Sequence, residues 1–159
     1  MLNLYVERMI RERGTIMGLL KAENVNDSEF DEQVKVCGTV EREADCLPVG
    51  KYRVCIGKCI FHRRKMPFLV PMDSFQCELC CKARHSHEFG DITAFTSLPC
   101  AMIQPGNGPF TMGRGSILVG EVHAPGYVLK SQSLFTTLYE RIKKAVWRGN
   151  EVTLEIKEV

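Results

Sequence analysis

No apolar run in this chain approaches the ~20 residues that a membrane-spanning helix needs. The opening stretch M-L-N-L-Y-V-E-R also lacks the basic-then-apolar profile of a secretory leader, because Glu7 and Arg8 interrupt it. Charge of one sign is scarce as well. A formal excess of +2 is too small to imply a nucleic-acid or membrane partner. The one basic run, His62-Arg63-Arg64-Lys65, reads as a solvated turn. No internal repeat and no low-complexity tract is present. These absences predict a cytoplasmic protein, in which thiols stay reduced. The eight cysteines are then free thiols or metal ligands ahead of disulfides.

What is there suits one domain. A chain of 159 residues can bury about 70% of its unfolded surface and needs no staple. Leu2, Leu4 and Val6 alternate, with Ile10 in phase, which is the period of a half-buried strand. Residues 11–14 turn it and residues 15–22 return. The polar stretch 23–32 is a loop. Val34, Val36 and Val40 fall on one face of a third strand, with Cys37, Thr39 and Glu41 on the other. After the turn residues Leu47-Pro48-Val49-Gly50 come Tyr52, Val54, Ile56 and Ile60 in a strand that residues 68–70 pair back on. Residues 117–122 form another strand, which Ala124-Pro125-Gly126 breaks.

Residues 131–148 carry the strong helix signal. Leu134, Leu138, Ile142 and Val146 recur every four residues, with Ala145 beside them. Ser131 or Ser133 can cap the start, Lys143, Lys144 and Arg148 suit the C-terminal dipole, and Gly149 fits the terminating position. Val152, Leu154 and Ile156 alternate in a closing strand. The expected fold is α+β: a mostly antiparallel β-sheet or partly closed barrel, one C-terminal helix, and a single domain over 1–159.

Residues 103–120, I-Q-P-G-N-G-P-F-T-M-G-R-G-S-I-L-V-G, join two apolar runs through a loop dense in glycine. Glycine permits positive φ and close backbone approach to a ligand. Gln104 and Ser116 at the two ends, with Gly106, Asn107 and Gly115, are the candidate ligand-binding residues. The spacing Gly108-x4-Gly113-Arg114-Gly115-Ser116 lacks the lysine and the following helix of a phosphate-binding loop, so that motif is rejected.

A second constellation lies in an insertion at residues 73–99. Cys77-x2-Cys80-x4-His85 matches three ligands of a zinc knuckle, and His87 or Cys81 can supply the fourth. Gly90 stands where a knuckle places its last Cys, so a thiol-rich loop without metal is the alternative. The cofactor expectation is none, or one zinc ion held by Cys77, Cys80, His85 and His87. Cys55 and Cys59 share one face of a strand and read as filler. Cys37, Cys46 and Cys100 read as small hydrophobes.

Several short islands, in order along the chain, resemble a bacterial and phage family known as domain of unknown function 5675. They are Thr15-Ile16-Met17-Gly18-Leu19-Leu20, Thr39-Val40-Glu41, Cys46-Leu47-Pro48-Val49-Gly50-Lys51-Tyr52, Ile103-Gln104-Pro105-Gly106-Asn107 and Gly115-Ser116-Ile117-Leu118-Val119-Gly120. The family's His and Cys are in turn similar to the catalytic pair of L,D-transpeptidases. That resemblance implies a cell-wall acyl-transfer fold with a Cys nucleophile and a His base. Here Gln104 stands for the His and Ser116 for the Cys. A serine hydroxyl needs an adjacent base, and an amide cannot take a proton. The implied function is a catalytically silent relative that binds a peptide, glycan or protein. The alternatives are an active serine-based peptidoglycan hydrolase or transpeptidase, and a zinc-stabilised interaction module.

Overall fold

The computed structural model describes residues 1–24, 34–59, 63–72, 101–108, 115–124 and 126–159. The chain is α+β. The sheet contains β1 (Leu2–Glu12), β2 (Thr15–Asn24), β3 (Val34–Arg42), β4 (Gly50–Cys59), β5 (Arg64–Pro71), β6 (Ile103–Gln104), β7 (Ile117–Ala124), β8 (Tyr127–Leu129) and β9 (Val152–Glu158). One helix, α1 (Ser131–Trp147), separates β8 from β9. Neighbouring strands run β5-β4-β9-β1-β2-β3-β7-β6, with β8 on β7. The pairs are antiparallel except β1–β9 and β6–β7, which are parallel. The first and last strands therefore lie side by side in the middle of the sheet, from Leu2 opposite Val152 to Arg8 opposite Glu158.

The sheet curls into a half-barrel whose edges approach one another. Phe68 of β5 bridges to Met102, and the Leu69 amide donates to the Ala101 carbonyl at 3.0 Å. The main core fills the concave side. Leu2, Leu4 and Val6 of β1 meet Leu20, Val54, Phe68, Ile117 and Leu154 there, all buried. A tight turn makes the β1–β2 hairpin possible. Arg13 and Gly14 take φ of 52° and 76°, the pair of positive values that a two-residue type I′ connection demands.

The helix covers part of the core with Phe135, Leu138, Tyr139 and Ile142, while Leu134 and Ala145 are only partly buried and Val146 is 38% exposed. The every-fourth-residue stripe thus continues one step too far. Each i to i+4 step advances about 40° around the axis, so three steps carry Val146 about 120° from Leu134. Phe135 and Tyr139 stack, and the Arg64 guanidinium lies 4.8 Å from the Tyr139 ring centre. The expected serine cap also differs. Lys130, at φ 54°, takes the N-cap position without a side-chain cap bond. Gly149 at φ 79° ends the helix as expected.

The face assignment on β3 changes at one residue. Leu20 pairs with Cys37 but Lys21 with Lys35, so Val36 is an extra residue in a bulge. Val36 consequently packs against the main core, on the side of Cys37, and not with Val40. A second, smaller cluster sits on the convex face. The β7–β8 hairpin folds over the sheet there, burying Val128 against Met17, Val40 and Leu118. Gly38 and Gly120 permit this contact, since a Cβ at either would come within 2.8 Å of a valine of the hairpin.

Candidate functional site

The glycine-rich stretch forms the seam of the half-barrel. In the parallel β6–β7 pair, Ile103 faces Ile117 and Gln104 faces Leu118. Continuing that register, Ser116 falls beside Met102. Gln104 and Ser116 therefore share one face of the pair, two residues out of step, with Cα atoms roughly 8 Å apart by strand geometry. The fold does bring the two ends of the loop together. It brings them together inside the protein: each is 1% exposed.

Among the described residues, both side chains bond to backbone. The Ser116 hydroxyl accepts from the Met102 amide at 3.3 Å, and the Ile117 amide donates to the Met102 carbonyl at 2.9 Å. The Gln104 side-chain amide lies 3.5 Å from the Pro105 carbonyl. Gly106 donates its amide to the Ser131 hydroxyl at 3.0 Å, and that hydroxyl donates to the Val119 carbonyl at 2.5 Å. Ser131, expected as a cap, thus ties the loop and β7 to the start of α1. The Asn107 carbonyl accepts from Val128 at 3.1 Å. Gly115, at φ 72°, is pressed against Leu47 and Ala101, where a Cβ would stand 3.3 Å from either side chain. Residues 109–114 lie outside the described residues.

The zinc-knuckle residues Cys77, Cys80, His85 and His87 also lie outside the described residues, as do Cys81 and Cys100. One expectation about sulfur is corrected. Cys55 of β4 is disulfide-bonded, to a cysteine whose side chain is not among those described, so it is no inert filler and the thiols are not all reduced. Cys37 and Cys46 are free. Burial pushes the Cys37 thiol up to about 11, which makes it inert near neutral pH.

Sequence reasoning missed a polar cluster at one end of the core. The signal was present, because Arg8 continues the inward series Leu2, Leu4, Val6. Arg8 pairs with Gly18, Gly18 with Thr39, and Ile16 with Glu41, so Arg8, Thr39 and Glu41 share the concave face. The Arg8 guanidinium donates twice to the Glu41 carboxylate, at 3.0 and 2.8 Å, once to the Leu47 carbonyl at 2.5 Å and once to the Glu158 carboxylate at 3.4 Å. Burial draws the Arg8 pKa down, but the bond and charge of Glu41 outweigh it and leave it raised. Both side chains are buried. Beside them the Tyr52 hydroxyl donates to the Pro48 carbonyl at 2.6 Å. Burial lifts the Tyr52 phenol while the Arg8 charge pulls it back. The Thr39 hydroxyl is buried with no hydrogen-bond partner among the described residues.

Accessible space lies elsewhere. A groove of about 410 Å³ is lined by Met9, Ile10, Met17, Leu19, Gly38 and Val122 among others. Met9 and Ile10 are 52% and 55% exposed, and β1 carries a register shift at this point. An apolar groove of this volume, with Lys35 and Glu121 beside it, falls within the range of ligand-binding clefts. No family model, curated protein or solved structure matches the chain.

Proposed function

We propose that this chain is a non-catalytic binding module, a silent relative of the bacterial and phage family whose motif islands it resembles. The observation that carries the first half is the position of Ser116. A nucleophile must meet its substrate, and this hydroxyl is 1% exposed and holds a backbone amide of the seam. Acyl transfer also needs a base within hydrogen-bond reach. Gln104, its neighbour on that face among the described residues, offers an amide, which cannot take a proton. In support of the family reading, Gly50 and Gly115 of the shared islands both take positive φ, at 143° and 72°. Those are positions where glycine is required whatever the site does.

The groove bounded by Met9, Ile10 and Val122 is the binding surface, and a peptide with spaced apolar side chains is the ligand its lining suits. Two measurements test this. Incubation with muropeptides and with a fluorophosphonate should leave Ser116 unmodified by mass spectrometry; an adduct there promotes the serine hydrolase reading. Peptides selected from a random library should lose binding to Ile10→Asp while still binding Ser116→Ala. The opposite pattern moves the site back to the glycine-rich stretch.

A further inference from the structure

We propose that the outward stripe of α1 formed by Glu140, Lys143, Lys144 and Trp147 is a separate binding site for a carboxylate-bearing sugar. The four residues are spaced i, i+3, i+4 and i+7, which stacks them on one side of a helix. That side is opposite the buried Phe135, Leu138 and Ile142. Among the described residues they line an open surface cleft of about 340 Å³, at the small end of ligand-site volumes. Among the described residues the cleft shares no lining residue with the apolar groove, and it goes beyond the function proposed above.

Trp147 is 90% exposed. An indole so placed contributes nothing to the core and leaves a large apolar face in water. Glu140 and Lys144 have the spacing and orientation that favour a helix ion pair, yet neither they nor Lys143 makes an ion pair or side-chain hydrogen bond among the described residues. The cleft therefore presents to solvent one flat π-face, two ammonium groups and one carboxylate, none of them paired among the described residues.

Charge and shape together select the ligand. Two lysines against one glutamate favour an anion. The negative face of the indole attracts the weakly positive C–H face of a sugar ring. Glu140 decides between anions. Ionised, it accepts hydrogen bonds only, so it welcomes sugar hydroxyls and repels the dense phosphates of a nucleic acid or an anionic bilayer. A sugar ring bearing a carboxylate uses all four side chains: the indole for its face, the lysines for its carboxylate, and Glu140 for its hydroxyls.

Trp147 is the only tryptophan in the chain, so its fluorescence reports this stripe alone. Titration with a hexuronic-acid oligosaccharide should give a saturable change in emission. A neutral glucose oligosaccharide of the same length should bind about tenfold more weakly, and so should the acidic one to Lys143→Ala/Lys144→Ala. Glu140→Ala should weaken the acidic sugar and improve binding of oligothymidylate and phosphatidylglycerol vesicles. All these positions are exposed, so the variants keep the fold, and circular dichroism checks that they do. No saturable change with the acidic sugar, an equal response to the neutral one, or tighter binding of DNA or vesicles by the unmodified protein each overturns the proposal. Peptide binding in the groove, measured separately with Ile10→Asp, is unaffected by any of these outcomes.

Discussion

Two buried regions of the half-barrel are solved in opposite ways. Under α1 the core is closed by Phe135, Leu138 and Ile142, apolar side chains that need only volume and shape. Where Arg8 follows Leu4 and Val6, it is closed by a guanidinium and a carboxylate that must find one another. Apolar contacts degrade gradually, because a smaller side chain leaves a cavity and the surroundings relax in part. The ion pair has no such tolerance, because loss of either partner strands a charge out of water. The difference teaches where this fold is specified. Many side chains could fill the helix side, whereas Arg8 and Glu41 fix how β1 and β3 are set relative to one another and to Leu47.

The comparison can be broken at the charged region first. Glu41→Ala should destabilise the protein by about 3–5 kcal/mol in urea unfolding, since it removes the buried carboxylate and leaves Arg8 with the longer 3.4 Å contact to half-exposed Glu158. Replacing both members, Arg8→Met with Glu41→Leu, should recover most of that loss. If the double variant is as unstable as Glu41→Ala, the pair is not the unit that acts here. On the helix side Leu138→Ala should cost about 2–5 kcal/mol, with no rescue by a second substitution. A much smaller loss would mean that α1 is not held by that face.

A third expectation concerns the buried free thiol of Cys37. Burial raises the Cys37 pKa to about 11. The unfolded thiol titrates near 8.5, so the folded state gains by keeping it neutral. That gain is fully present below about pH 8.5 and is lost as pH rises through about 11. Unfolding midpoints of the wild type and Cys37→Ala, followed from pH 8 to 11, should show the wild type losing stability more steeply. Parallel curves would place the thiol in water. The smallest effect belongs to Val146→Ala, which should stay within about 0.5 kcal/mol of wild type. A loss near that of Leu138→Ala would restore the every-fourth-residue stripe as the buried one.

Much of the architecture was written in local pattern. Leu2, Leu4 and Val6 announced β1, Val152, Leu154 and Ile156 announced β9, and Gly149 announced the helix end, because strand alternation and C-cap geometry are properties of a few consecutive residues. The placement of Gln104 and Ser116 on one face was half legible. Both ends of the glycine-rich stretch were marked, but the burial that removes them from solvent depends on β5 and the start of α1 meeting that seam. Tyr127–Leu129 carried too short a pattern to read as a strand and is one only because β7 supplies its partner.

The sequence by itself therefore determined the α+β class, the positions of most strands along the chain and the place of the C-terminal helix, since short-range periodicity dictates which face of each element is apolar. Tertiary structure alone decided that Arg8 would find Glu41 thirty-three positions away, that Val36 would turn inward at a bulge, and that Val146 and Trp147 would be left in water. Those outcomes follow from register and from the curl of the sheet, which are set by contacts between residues far apart in the chain and so leave no mark on any window of a few residues.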